Sequence, residues 1–129
     1  QLKKYIDNKD IEYLGKVNDV RSLLNKCKYY VLPSYREGTP RSILEAMSVG
    51  RPIITTNTPG CKETVIDEVN GLLVPIKDVK SLVIAIKKML EFDDVKIIEM
   101  AKQSTKLARQ KYDVSKVNQN IIDIIEFKK

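Results

Sequence analysis

The sequence predicts an α/β domain in which a small parallel β-sheet is followed by a run of C-terminal helices. Up to residue 75, short apolar segments alternate with amphipathic ones, and this alternation is typical of β–α–β units. After residue 75, apolar residues recur with the 3.6-residue period of helices. With 129 residues, of which 43% are hydrophobic, the chain is long enough to form one domain with its own core.

Four segments have the composition and flanking residues of strands. They are 11–15, which ends in a glycine turn, 29–34, which is closed by a proline, 51–56 and 70–75. Strands that alternate with helices favour parallel pairing through crossover connections. Four short strands are fewer than a complete doubly wound sheet contains, so we expect a preceding part of the protein to supply the others.

Helical segments are predicted between and after the strands from the spacing of their apolar residues. They are 19–27, 40–50, a short turn within 61–67, and three longer helices at 78–92, 93–112 and 113–127. Asp78 directly precedes the first long helix, and its carboxylate is a favoured N-cap. The last helix is amphipathic, and we favour its packing against another part of the protein over a membrane surface, because Asp113 and Asp123 dilute its basic face.

Composition narrows the classes of function. The chain has 23 Lys and Arg against 17 Asp and Glu, and the resulting net charge of +6 suits an anionic partner. The lysines are scattered without a dense basic run, so we expect no nucleic-acid partner, and a basic nucleic-acid-binding domain stays an alternative based on charge alone. His is absent and Cys27 and Cys61 are isolated, which argues against a zinc site and indicates a reducing compartment. Without an apolar leader or membrane span, we expect a cytoplasmic protein.

The segment 34–50, SYREGTPRSILEAMSVG, places Glu37 in a Gly/Pro loop and Glu45 inside an apolar helix. Thr39 is the expected N-cap and Pro40 the expected first helical residue. The helix would then present free backbone amides at its start, and a helix N-terminus with free amides favours a phosphate group. Carboxylates, in contrast, are good acceptors for pairs of hydroxyl groups.

Two interpretations of the glutamates are open on spacing alone. In the first, Glu45 forms an i, i+4 pair with Arg41 on the helix surface, and Glu37 belongs to a solvated loop. In the second, both carboxylates face one ligand, a sugar linked to a nucleoside diphosphate, whose phosphates are held by Arg41 and the helix amides. Similarly, Cys61 and Glu63 in the loop 58–63 follow a strand end, and we favour a purely structural turn there.

The same residues resemble a known family. EGTPRSILEAMSVGRPIITT is similar to the E-x7-E signature of the retaining GT-B glycosyltransferases of family GT4, also called glycosyl transferases group 1. YLGKV and YYVLPSY before it, and PGCKETV and NGLLVP after it, also fit the family's pattern. The resemblance extends over about residues 10–128, and it implies a partial Rossmann-like sheet from the C-terminal domain of the GT-B fold.

The resemblance implies a role for each residue of the signature. Glu37 is the expected catalytic contact with the donor sugar, and Glu45 is expected to hold the ribose hydroxyls. Contacts with the sugar and the diphosphate are expected from Gly38, Thr39, Arg41 and Ser42, and weaker contacts with the base from Lys16 and Val17. Two residues depart from the family's pattern: Thr39 replaces an apolar residue that many members carry, and Glu68 stands where the family often has glycine.

The resemblance also implies what the whole protein does. The 129 residues would form the C-terminal part of a donor-binding domain, and the acceptor-binding domain and an Arg/Lys pair for the diphosphate would precede it. We expect a nucleotide-sugar donor, with UDP as the default nucleotide, and neither a cofactor nor a catalytic metal. A hexose-type sugar would pass to a polysaccharide or lipid-linked oligosaccharide, as in bacterial members that build capsule or lipopolysaccharide. Peripheral association with the inner face of the membrane, and a non-catalytic sugar-nucleotide-binding or assembly module, are alternatives.

Overall fold

The structure is a computed structural model that describes residues 1–126, so the predicted last residue of the final helix, Phe127, lies outside the described residues. The helices are α1 Leu2–Asp7, α2 Arg21–Leu24, α3 Arg41–Ser48, α4 Val79–Glu91, α5 Asp94–Lys111 and α6 Val114–Glu126. The strands are β1 Tyr30–Leu32, β2 Ile53–Thr56 and β3 Gly71–Val74, and a 3-10 turn covers Lys62–Thr64. The predicted α/β class with helices at the end of the chain is confirmed.

The three strands form one parallel sheet in the order β1-β2-β3. Strand β2 is central and buried at every position, whereas β1 lies at an edge and is half-buried. Because the strands are parallel, their carboxyl ends at Leu32, Thr56 and Val74 lie along one edge of the sheet. This carboxyl edge is where ligands bind in open α/β sheets.

Helices cover both faces of the sheet, because neighbouring residues of a strand point to opposite sides. Ile53 faces a cluster with Ile43 and Met47 of α3, on what we call the α3 side. Ile54 faces a cluster with Met89 of α4 and Met100 of α5, on the α4 side. The C-terminal half of α5 also packs on the α3 side, so this helix joins the two faces.

The strand predicted at 11–15 is wrong. Residues 8–20 form neither helix nor strand, and Ile11, Tyr13 and Leu14 are exposed by 43%, 73% and 50%. A strand is stabilised by backbone pairing with a neighbour; β1 pairs with β2 and β2 with β3, and none of the three pairs with this segment. The predicted glycine turn is present, since Gly15 has a φ of +64°.

Asn70 ties the connection before β3 to the core. Its side chain is fully buried, and its amide donates to the carbonyl oxygen of Thr64 at 3.1 Å while its Oδ1 accepts from the amide of Ile66 at 2.7 Å. The hydroxyl of Ser104, on α5, donates to the backbone oxygen of Asn70 at 3.2 Å. These bonds give a buried amide its partners and fix the approach to the last strand.

The N-cap predicted at Asp78 is confirmed. Its Oδ1 accepts from the backbone amide of Ser81 at 3.0 Å, and its Oδ2 accepts from the Ser81 hydroxyl at 2.6 Å. These hydrogen bonds to the charged form hold the pKa of the Asp78 carboxyl below its usual range. The cap fixes the start of α4 directly after the loop that follows β3.

Candidate functional site

Helix α3 begins one residue later than the sequence predicted. Pro40, with a φ of −69° and a ψ of 117°, occupies the N-cap position, and Thr39 is exposed and makes no capping hydrogen bond. The extended ψ of Pro40 holds Thr39 one residue too far from the first turn, so Thr39 is not the cap. The Pro40 carbonyl accepts from the amides of Ile43 and Leu44 at 3.0 and 3.2 Å.

The start of α3 is nevertheless open, as the sequence predicted. The amides of Arg41 and Ser42 precede the first amides bonded within the helix, and the first amides of a helix have no partner inside it. Gly38 and Thr39, the two residues before the N-cap, are exposed. A helix end with free amides and a nearby guanidinium can hold a phosphate.

Glu37 lies in the loop after β1 and accepts a hydrogen bond from a hydroxyl group of the same loop. The Ser34 hydroxyl donates to Glu37 Oε1 at 2.9 Å, and the Thr56 hydroxyl donates in turn to the backbone oxygen of Ser34. Strand β2 therefore positions the residue that orients Glu37. Ser34 and Thr56 were not predicted from the sequence, because only their contact across the sheet edge shows the connection.

Glu45 forms the i, i+4 pair with Arg41 that the first interpretation described, with Arg41 Nε at 3.2 Å from Glu45 Oε1. The Arg41 side chain is 89% exposed and that of Glu45 is 34% exposed, so both are accessible to a ligand. Exposed pairs of this kind contribute only about 0.3–0.5 kcal/mol. A ligand that offers phosphate to Arg41 and hydroxyls to Glu45 would therefore break this ion pair at little cost in free energy.

The loop after β2 packs against the backbone of the loop after β1. Gly60 has a φ of +85°, and a β-carbon built on it would lie 1.9 Å from the backbone oxygen of Gly38 and 2.6 Å from that of Glu37. Only glycine fits such a close approach of two backbones. The sequence analysis missed Gly60 as a site residue, although its place in a Pro-Gly pair after a strand end is a signal for a turn.

In the rest of that loop, Cys61 and the backbone of Glu63 make structural contacts. Cys61 is fully buried in the cluster on the α3 side. Glu63 is exposed, and its backbone oxygen accepts from Lys111 Nζ and from the Tyr112 hydroxyl, each at 2.8 Å. These contacts fasten the 3-10 turn to the end of α5.

Lys16 and Val17 are exposed in the irregular segment before α2. Within residues 1–126 neither side chain forms a hydrogen bond or an ion pair, and no such contact joins them to the loop of Glu37. Their role at the base of a nucleotide stays a prediction.

Glu68, which stands where the family often has glycine, has a φ of +60°. This is the left-handed backbone region that glycine enters without strain, which explains the preference for glycine at this position. The Glu68 carboxylate accepts a hydrogen bond from Lys88 Nζ on α4, and this bond lowers the pKa of the Glu68 carboxyl. The substitution therefore has a structural role at the turn before β3.

The comparison with protein families identifies the chain. A model of the family described as glycosyl transferases group 1 matches residues 1–91. The chain belongs to this family. The helices on both faces of a parallel sheet, and the open helix start at its carboxyl edge, are the parts of the GT-B fold that the chain contains.

Two curated relatives are named for transfer to sugars linked through diphosphate to undecaprenol. The chain is 32% identical over 123 residues to N,N'-diacetylbacillosaminyl-diphospho-undecaprenol alpha-1,3-N-acetylgalactosaminyltransferase of Campylobacter jejuni, a match that covers 95% of the chain and 32% of that protein. It is 37% identical over 78 residues to UDP-Gal:alpha-D-GlcNAc-diphosphoundecaprenol alpha-1,3-galactosyltransferase of Escherichia coli, covering 60% of the chain and 20% of that protein. The chain thus spans about a third or less of the length of these relatives.

Solved structures show the same fold. The crystal structure of Anabaena HepE in complex with UDP superposes with a TM-score of 0.85 and 28% identity, covering 97% of the chain and 35% of HepE. Sucrose-phosphate synthase from Thermosynechococcus elongatus superposes with a TM-score of 0.83 at 23% identity, over 97% of the chain and 33% of that protein. In the part of the chain that the structure describes, no helix is both long and apolar enough to cross a membrane.

Proposed function

We propose that the chain is the nucleotide-sugar-binding part of a retaining glycosyltransferase that transfers a hexose-type sugar to a polysaccharide or lipid-linked oligosaccharide. The observation that carries this proposal is the juxtaposition of an oriented carboxylate, Glu37, with the open N-terminus of α3 at the carboxyl edge of the sheet. Family membership and the UDP complex of HepE support UDP as the nucleotide.

The diphosphate of the donor would lie at the start of α3. The amides of Arg41 and Ser42 and the Arg41 guanidinium would donate hydrogen bonds to its oxygens. Glu45, one turn along the same helix, would accept hydrogen bonds from the two ribose hydroxyls once Arg41 turns to the phosphates. Gly38 and Thr39 would contact the sugar, where the absence of a side chain on Gly38 allows close approach.

Glu37 would act at the donor sugar itself. The Ser34 hydroxyl fixes one of its oxygens and leaves the other free to meet a sugar hydroxyl or the charge that develops at the reacting carbon. The leaving diphosphate would be stabilised by the helix dipole and by cationic side chains, and we propose that no metal ion is needed for this step. Lys16 and Val17 would border the base through backbone atoms.

The whole protein would add the acceptor site and more of the diphosphate site. Two relatives are named as acting on sugars linked through diphosphate to undecaprenol, and this supports a lipid-linked acceptor. We propose that the full-length protein works at the inner face of the membrane. We place the chain in the donor-binding domain, with the acceptor-binding domain outside it. Transfer would therefore require the full-length protein.

Calorimetric titration of UDP, GDP and a panel of UDP-sugars into the full-length protein tests this proposal. We expect one nucleotide to bind and Glu45→Ala to weaken that binding by about tenfold or more, since hydrogen bonds to charged groups contribute about 1.5–3 kcal/mol. Glu91→Ala, which removes an exposed carboxylate near the end of α4, is the matched control and should bind as the wild type does. A folded protein that binds none of these nucleotides would refute the donor role and favour a non-catalytic module.

A further inference from the structure

A second cavity opens at the carboxyl edge of the sheet, between the loop after β1 and the start of α4. Its volume is about 210 Å³, and Tyr35, Lys77 and Asp78 line it together with apolar residues. None of the residues that line it is among the proposed donor contacts. Complete small-molecule sites commonly have volumes of about 300–1,000 Å³, so this cavity has room for one part of a larger ligand.

The cavity and the start of α3 lie on opposite sides of the sheet. Val74 and Leu82, which line the cavity, belong to the cluster on the α4 side, whereas α3 packs on the other face. The loop 33–40 connects the two places. Tyr35 lies at the cavity, the helix begins after Pro40, and Glu37 lies between them along the loop. Tyr35 at the cavity is thus two residues from Glu37 along this loop.

The lining has the chemistry of a sugar site. The Tyr35 side chain is 66% exposed and offers a ring face on which the apolar C–H face of a pyranose can pack. Lys77 Nζ lies 5.8 Å from the centroid of that ring and can donate to hydroxyl groups. The apolar walls include Pro33, Pro75 and Val79.

Asp78 supplies the acceptor that a sugar needs. Its two oxygens each accept one hydrogen bond from Ser81, and a carboxylate has about four lone-pair sites, so it can accept a further hydroxyl. Lys77, next to it, has a φ of +57°, a backbone conformation that is unfavourable for residues other than glycine.

We propose that this cavity binds one sugar ring of the acceptor glycan. The inference rests on the proposed function, because it assigns the acceptor side of the same transfer reaction to residues of the donor-binding domain. The sugar ring packs on Tyr35, Asp78 accepts and Lys77 donates hydrogen bonds to its hydroxyls, and the loop that follows Tyr35 leads to Glu37 and the donor site.

The test uses the full-length protein saturated with UDP. Methyl α-glycosides of glucose, galactose, N-acetylglucosamine and N-acetylgalactosamine are titrated and followed by ligand-observed NMR. We expect at least one glycoside to bind the wild type, and Tyr35→Ala and Lys77→Gly each to weaken it by about tenfold, the loss that one aromatic contact or hydrogen bond explains. Lys77→Gly suits the backbone at this position, so the variant should fold. The affinity for UDP should stay unchanged in both.

Lys87→Ala removes an exposed lysine of α4 outside the cavity and is the control for charge; it should bind the glycoside as the wild type does. If UDP binds but no glycoside does, or if both cavity variants bind the glycoside with wild-type affinity, the inference fails while the donor site stands. If the variants instead weaken a UDP-sugar relative to UDP, the cavity holds the donor sugar and the inference also fails. A wild type that binds neither UDP nor UDP-sugars refutes the proposed function itself.

Discussion

A β-carbon built on Gly60 would lie 1.9 Å from the backbone oxygen of Gly38. The loop after β2 therefore touches the backbone of the loop after β1 at the position next to Glu37. This contact holds the candidate donor loop against the sheet, and it links the stability of one loop to the shape of the other.

We expect Gly60→Ala to damage both folding and donor binding. At a φ of +85° an alanine is strained by about 1–2 kcal/mol, and relief of the backbone clash adds to this, so the free energy of unfolding should fall by about 3 kcal/mol. Displacement of Gly38 and Glu37 should lower the affinity for UDP-sugars. Urea denaturation and calorimetric titration of the variant measure the two effects.

Gly15→Ala is the matched control for this variant. Gly15 also has a positive φ, +64°, but a β-carbon on it would meet no atom within 4 Å. The substitution should therefore cost only the backbone strain of about 1–2 kcal/mol and leave nucleotide binding intact. Equal losses of stability in the two variants would show that the close contact with Gly38 contributes nothing to the free energy of unfolding.

Substitutions in the Arg41–Glu45 pair can distinguish a structural role of these side chains from a role in nucleotide binding. A double-mutant cycle with Arg41→Ala and Glu45→Ala should give a coupling energy of about 0.3–0.5 kcal/mol in the free energy of unfolding, because the pair is exposed. In UDP affinity, each single variant should lose about tenfold or more, since each side chain contacts a different part of the nucleotide. Large coupling in stability with unchanged affinity would favour the first interpretation, a purely structural pair.

The elements that the sequence predicted correctly depend on local interactions. Asp78 caps α4 through bonds to a residue three positions away, and the apolar spacing of α3 alone indicates that Ile43 and Met47 face the core. The alternation of strand and helix patterns likewise indicated the parallel pairing of β1, β2 and β3. In each case the pattern that predicts the element lies within the element or its neighbours.

The errors and omissions involve contacts between distant segments. The segment 11–15 has the composition of a strand, but strand formation depends on a pairing partner that composition does not reveal. Thr56 acts on Ser34 across 22 residues of sequence, and Gly60 touches Gly38 across a similar separation. The glutamates of the candidate site could be named from the sequence, whereas the residues that hold Glu37 in place could not.

The cap at Asp78 predicts a pH dependence. Its pKa is lowered in the folded state by the hydrogen bonds from Ser81, so the cap stabilises the fold above the pKa that the carboxyl has in the unfolded chain. That stability is lost as the pH falls through the acid range, below about pH 4. In urea denaturation, Asp78→Ala should therefore be less stable than the wild type at pH 7, with a smaller difference at pH 3. A difference that stays constant between these pH values would contradict the charged cap.

Asn70 should be the polar residue on which the fold depends most strongly. Asn70→Ala leaves the buried carbonyl oxygen of Thr64 and the amide of Ile66 without the partners they have in the structure. A buried group without a partner costs about 1–3 kcal/mol, and loss of the bond to the partly buried amide of Ile66 adds about 0.5–1.5 kcal/mol, so the free energy of unfolding should fall by about 2–4 kcal/mol. Asn57→Ala, at an exposed position just after β2, is the matched control and should change it by less than about 0.5 kcal/mol. Urea denaturation curves for the two variants test this difference in stability. Similar midpoints would show that water or neighbouring groups replace the hydrogen bonds of the Asn70 side chain.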